Sequence, residues 1–246
     1  MGVRINPRLA AIGAVAAIAL AGLGAWAAHR SQLATRLVAT PADQVAADPA
    51  LVRYAHGLAQ PAFAGNCARC HGADMKGNKA LGAPNLTDRV WLYDQGGVSD
   101  IERTILYGIR SGHAKARNIT DMPAVGRLGV LKDDEIRDVV EYVEQLSRQP
   151  HDAAAAARGE VLFKDRGNCF DCHGQDGAGN PDYGSTDLTA NTWTYGGDRQ
   201  ALFLSIRDGR HGKMDAFIGQ LSFAQIRALA VEIYERSHGA AQVASN

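Results

Sequence analysis

The 246-residue chain has no net charge, because 26 basic side chains are matched by 26 acidic ones. Bulk attraction to nucleic acid or to an acidic lipid surface is therefore not expected, and no nucleic-acid partner is. No segment shows convincing apolar–polar alternation, which argues against a sheet-based fold and for an all-α class. Cysteine and methionine are both scarce, with four residues each. The chain is not poor in apolar residues, at 46%, and that excludes a disordered polymer. Its length leaves room for one large domain or two small ones plus an appendage.

All four cysteines fall in two short stretches. They are Gly65-Asn66-Cys67-Ala68-Arg69-Cys70-His71-Gly72 and Gly167-Asn168-Cys169-Phe170-Asp171-Cys172-His173-Gly174. Each is a C-x-x-C-H box, the pattern of covalent c-type haem attachment. Two thiols that add across the haem vinyl groups must sit about one helical turn apart. The histidine follows at once, so the same turn aims its imidazole at the iron. A zinc ribbon would separate its cysteine pairs by roughly 15–20 residues; here Cys67 and Cys169 are 102 apart. A thioredoxin-like motif needs a βαβ context that the flanks lack. Two disulfides would leave both histidines unexplained. The expectation is two covalently bound haem c groups, on Cys67 and Cys70 and on Cys169 and Cys172, with His71 and His173 as iron ligands.

The same offset brings further residues into register. Gly57 meets Gly159, Gly77-Asn78 meets Gly179-Asn180, Leu86-Thr87 meets Leu188-Thr189, and Trp91 and Tyr93 meet Trp193 and Tyr195. Later the offset shrinks, to 92 between Met122 and Met214 and to 90 where Ile136-Arg137 meets Ile226-Arg227, so the first copy carries ten extra residues between Gly108 and Met122. This is a duplicated domain. The expected division is a membrane anchor at 1–30, a tether at 31–50, a first domain at 51–148, a linker at 149–152, a second domain at 153–240 and a tail at 241–246. Each copy should end in an amphipathic helix: Ile136, Val139, Val140, Val143 and Leu146 in the first, Ile226, Leu229, Ile233 and Tyr234 in the second. Ser222-Phe223-Ala224-Gln225 reads as a capping box, and Ser99-Asp100-Ile101-Glu102 as the cap of a middle helix. Gly57 and Gly159, in the helix leading into each box, would let that helix approach the last one closely.

Leu9 to Ala28 is free of charge and long enough to cross a bilayer as a helix. Arg4 and Arg8 precede it, and Arg30 and Arg36 follow, so the positive-inside rule does not orient it. Haem c is attached outside the bacterial cytoplasm, which puts the cytochrome part in the periplasm and the anchor in the inner membrane. The competing reading is a signal peptide cleaved at Ala25-Trp26-Ala27.

A haem with a proximal histidine needs a second ligand or an open face. Met1 starts the chain and Met75 is too near His71 to cross to the far side. That leaves Met122 and Met214, one late in each copy, each just before the final helix. His/Met ligation suits electron transfer at fairly high potential. His211 rivals Met214, and His113 is a weaker rival to Met122. Pro84 and Thr186 are placed to offer backbone carbonyls to the free ring nitrogens of His71 and His173. Trp91, Tyr93, Trp193 and Tyr195 would line the haem edge or fill the core.

Each copy resembles a class I cytochrome c domain. More narrowly, the chain resembles the dihaem subunit III of cbb(3)-type cytochrome c oxidases. The likeness rests on Ala47-Asp48-Pro49-Ala50-Leu51, Gly82-Ala83-Pro84-Asn85-Leu86-Thr87, Trp91-Leu92-Tyr93, Ile105 to Gly112, Met122-Pro123-Ala124, and Gly209-Arg210-His211-Gly212-Lys213-Met214. It implies an electron carrier within an oxidase complex. Electrons would arrive from a donor cytochrome c or the quinol–cytochrome c reductase. They would pass through two haems to the other subunits of a haem–copper oxidase, where oxygen is reduced. A free-standing cytochrome c4-like shuttle and a dihaem peroxidase are the alternatives. Met214 is followed by Asp215, where the family usually has proline, so either a looser methionine loop or a lowered potential is expected at the second haem.

Overall fold

The computed structural model describes residues 7–118 and 121–243, with side chains described over 14–118 and 121–239. Nine helices are present among these residues. They are α1 (Pro7–Ala39), α2 (Pro49–Asn66), α3 (Ala68–His71), α4 (Val98–Tyr107), α5 (Asp133–Leu146), α6 (Ala153–Lys164), α7 (Phe170–His173), α8 (Arg199–Asp208) and α9 (Phe223–Val243). A short 3₁₀ turn, Ala42–Ala47, joins α1 to α2. Among the described residues extended pairing is limited to isolated bridges, as an all-α class requires.

Most helix starts are set by local chemistry. Asp48 accepts from the Ala50 and Leu51 amides at 2.9 and 3.3 Å, with Pro49 at the first helical position of α2. Asp152 does the same for α6, through Ala154 and Ala155. At α9 the capping box forms: the Ser222 amide donates to Gln225 Oε1, and the Gln225 amide to Ser222 Oγ. The middle helix α4 differs from expectation. Ser99 does not cap it; its amide instead donates to Asp43 Oδ1 at 3.0 Å, and the Asp100 carboxylate turns back to the Gly97 amide. The cap thus comes from the 3₁₀ turn, 56 residues upstream.

Two apolar cores form, and they do not coincide with the two sequence repeats. The first joins Leu51, Ala55, Ala59 and Phe63 of α2 and Val98, Ile101 and Ile105 of α4 to Ile226, Leu229 and Ile233 of α9. The second joins Ile136, Val139 and Val143 of α5 to Phe163 of α6 and Leu202 and Ile206 of α8. The final helices have been exchanged. α9, from the second repeat, completes the unit around the first box, while α5, from the first repeat, completes the unit around the second. The divisions 51–148 and 153–240 therefore describe the duplication, whereas the packed units are a discontinuous first and a continuous second.

The exchange explains one glycine. A Cβ at Gly159 would lie 2.0 Å from the Asp138 carbonyl oxygen, so α6 does touch a final helix, but that of the other repeat. Gly57 is exposed and a Cβ there would meet nothing within 4 Å. Gly57→Ala should therefore stabilise the chain by about 0.5–1 kcal/mol, and Gly159→Ala should destabilise it by about 2–3 kcal/mol through overpacking. Thermal melts of the two variants check this opposition of sign.

The N-terminal region also departs from a free tether. α1 runs on to Ala39, and Leu33, Leu37 and Val45 are buried in the first core. From Ala14 to Gln32 the side chains are exposed, including Val15, Ile18, Leu20, Leu23 and Trp26. Among the described residues no helix is long and apolar enough to cross a membrane. The stretch 9–28 begins before the described side chains, and His29 and Arg30 follow it directly.

Candidate functional site

Each box occupies a one-turn helix, α3 or α7, entered from a longer helix. Within that turn the His71 amide donates to the Cys67 carbonyl and the His173 amide to the Cys169 carbonyl, both at 2.9 Å. Gly72 and Gly174 end the turns with φ of +77°, a conformation glycine adopts without strain. The chain then bends back toward the ring. His71 Nδ1 lies 3.1 Å from the Pro84 carbonyl oxygen, and His173 Nδ1 lies 2.9 Å from that of Thr186. A carbonyl can only accept, so Nδ1 carries the proton and Nε2 keeps its lone pair for a metal. Burial holds both imidazoles below their usual pKa, against the opposing pull of that carbonyl. Both are thus neutral at ordinary pH, as iron ligation requires.

The four cysteines form no disulfide. Burial pushes the Cys67 and Cys169 thiols up to about 11. They therefore stay in the S–H form at neutral pH. No cluster of three or more His, Cys, Asp or Glu among the described residues is arranged to hold a metal ion by itself, so the cysteine pairs do not meet as a zinc site.

Both boxes open on one cavity of about 760 Å³ between the two units, reached by His71, His173, Met122 and Met214 alike. The exchange decides which methionine stands where. Met214 packs against the first core, as Cys67 and Trp91 also do, and Met122 against the second, as Cys169 and Trp193 also do. Backbone bridges hold each loop. Ile109, at the end of α4, exchanges both hydrogen bonds with Met214 at 2.9 Å. Arg210, at the end of α8, does the same with Met122 at 3.0 and 3.1 Å. Gly108 and Gly209 make this approach possible, since a Cβ would lie 2.4 and 2.5 Å from the Met214 and Met122 carbonyl oxygens.

The histidine rivals are occupied elsewhere. His113 stacks on Tyr107 at 4.9 Å and its Nδ1 accepts from the Lys115 amide. His211 is exposed and pairs with Asp121 at 2.6 Å. Neither lines the cavity. Met75 is buried core filler.

The aromatic residues take two roles. Trp91 and Trp193 lie over Gly96 and Gly197. Tyr93 and Tyr195 cross between units: a Cβ on Gly184 would strike the Tyr93 ring, and one on Gly82 the Tyr195 ring. An arginine covers each ring, Arg117 at 4.9 Å and Arg210 at 4.4 Å. Arg117 comes from the ten extra residues of the first copy and is itself buried, pairing with Asp94. Asp215 falls 4.0 Å from Arg69 and 3.6 Å from Lys213, beside the first box rather than the second. Its charge therefore lies on the side of the first box.

Residues 58–147 match the cytochrome c family, and residues 154–231 match the family described as cytochrome c oxidase, cbb3-type, subunit III. The chain is 39% identical over 210 residues to the cbb3-type cytochrome c oxidase subunit CcoP of Cereibacter sphaeroides, covering 85% of this chain and 71% of that one. It is 40% identical over 212 residues to the subunit FixP of Bradyrhizobium sp. (strain ORS 278), covering 85% and 70%. The chain belongs to the CcoP/FixP family of cbb3-type oxidase subunits. As a member of that family it is a c-type cytochrome that carries electrons within an oxidoreductase complex, and its cofactor is covalently bound haem c. The matched stretches 58–147 and 154–231 contain both boxes, the carbonyl-braced histidines and the two methionine loops. Sequence reasoning missed the exchange of final helices. Glycine stands at both 57 and 159, and only the structure shows that Gly159 alone needs the space.

Proposed function

We propose that the chain holds two haem c groups with crossed axial ligands: His71 with Met214 and His173 with Met122. The observation that carries this reading is the packing of each methionine against the core that also receives a cysteine of the opposite repeat's box. Cys67 and Cys70 attach one haem; Cys169 and Cys172 attach the other. When bound, each haem supplies a one-electron couple, and a thioether ligand favours the reduced state. The chain's own groups space the two sites, close them to water and keep each imidazole oriented. With both axial positions filled, electron transfer is favoured over peroxide or oxygen chemistry.

The partners are other subunits of a haem–copper oxidase and a donor cytochrome c or quinol–cytochrome c reductase. The exposed apolar residues of α1 support attachment to the bacterial inner membrane, with both haem units in the periplasm. The boxes differ in charge balance: Arg69, Lys76 and Lys79 are exposed with Asp74 around the first, and Asp165, Asp171, Asp176 and Asp182 with Lys164 and Arg166 around the second. A basic donor would therefore approach the second unit, and electrons would leave by the first.

Purification of the native assembly, with its haem c counted per chain and its subunits identified, tests the reading. Two haems and a copurifying haem–copper core are expected; a chain recovered alone would favour the free shuttle. Electron uptake from a basic cytochrome should slow as salt rises, and a rate indifferent to salt would remove the second unit as the docking side.

A further inference from the structure

We infer that Arg227 welds the N-terminal helix to the first haem unit, so that helix and unit turn as one rigid body. Arg227 sits on α9 and is 6% exposed. Its guanidinium serves two neighbours at once. Nε and Nη2 face the Glu102 carboxylate on α4, itself 8% exposed. Nη1 donates to the Leu37 carbonyl at 3.2 Å and the Thr40 carbonyl at 2.6 Å.

Those carbonyls close α1. The last carbonyls of a helix have no partner inside it, and they carry the negative end of its dipole. A buried arginine with a fixed fork satisfies both needs where a lysine would satisfy one. Glu102 balances the charge, so the guanidinium is buried with its partners. Around this joint the contacts are dense. Leu33 and Leu37 enter the first core, Arg36 pairs with Asp48 at 2.5 Å, and Arg30 lies over Tyr54 of α2 at 5.4 Å. The 3₁₀ turn adds Val45 to the core and lends Asp43 to the start of α4. No loose link separates α1 from the haem unit among the described residues.

The arm from Ala14 to Gln32 spans about 28 Å at the helical rise. Its direction is set by a residue of the second repeat, because α9 is the exchanged helix. Whatever holds the arm thereby fixes the height and facing of the first box. Electron transfer falls steeply with distance, so a fixed box does not need to search for its acceptor. This holds whether the arm is held by lipid or by another subunit, and it does not rest on the axial assignment.

The test uses the haem-loaded full chain in detergent, with paired spin labels at A28C and Q60C. The four native thiols are bonded to haem, so only the introduced thiols react. The expected result is one narrow distance distribution, lost in Arg227→Gln while the haem absorbance spectrum is unchanged. A broad distribution in the parent chain overturns the inference. So does a distribution that stays narrow in Arg227→Gln. Should that variant fail to take up haem, Arg227→Lys keeps the charge without the fork. It should also lose the narrow peak, and a peak left intact there overturns the inference too.

Discussion

With Cys169 and Cys172 replaced by alanine, so that only the first haem is attached, Met214→Ala should abolish the sulfur–iron absorption band and Met122→Ala should leave it. The mirror experiment, with Cys67 and Cys70 replaced, should give the reverse. The expectation follows from position. Ile109 clamps the Met214 loop in the unit of the first box, and Arg210 clamps the Met122 loop in the unit of the second. Loss of the thioether removes the ligand that favours reduced iron, so the potential of the affected haem should fall and its face should become open to carbon monoxide. Pairing within each repeat would produce the opposite assignment in both backgrounds. Redox titration and carbon monoxide binding of the four variants separate the two schemes.

A fragment cut at the exchange, residues 121–212, should fold and carry one haem, whereas the sequence repeat 149–246 should not. The first fragment contains α5, α6, α7, α8 and the Met122–Arg210 bridge, which together make the second core. The second lacks α5 and carries α9 with no α2 to receive it. In the whole chain Ile226, Leu229 and Val231 are at most 1% exposed. Uncovering side chains of this size costs about 1.5–3 kcal/mol each, and a few such losses approach the total stability of a domain, about 5–15 kcal/mol. Haem content and resistance to protease of the two fragments give the answer directly.

Much of the site was legible in the sequence because it is local. The boxes, the carbonyls of Pro84 and Thr186 and the Ser222 capping box each join residues within thirteen positions of one another. Such contacts are fixed by turn geometry and side-chain type. The exchange joins residues far apart, and here duplication hides the answer. α5 and α9 descend from one ancestral helix and present matched apolar faces, so either could cover either partner. Swapping equivalent elements changes few contact types, and a pattern of apolar residues does not record which copy was chosen. The cap on α4 was missed for a related reason: Asp43 lies far upstream, and Ser99 offered a nearer candidate. The reassignment of Asp215 follows from the exchange as well. Adjacent in sequence to Met214, it travels with that methionine to the first box.

The exchange also sets an order of assembly. The chain is made from its N-terminus, so the α2, α3 and α4 helices emerge well before their partner α9. Every element of the second unit appears between them and can close while the first still waits. The first box is thus the earlier made and the later sealed. Its core is complete only when the last helix has arrived.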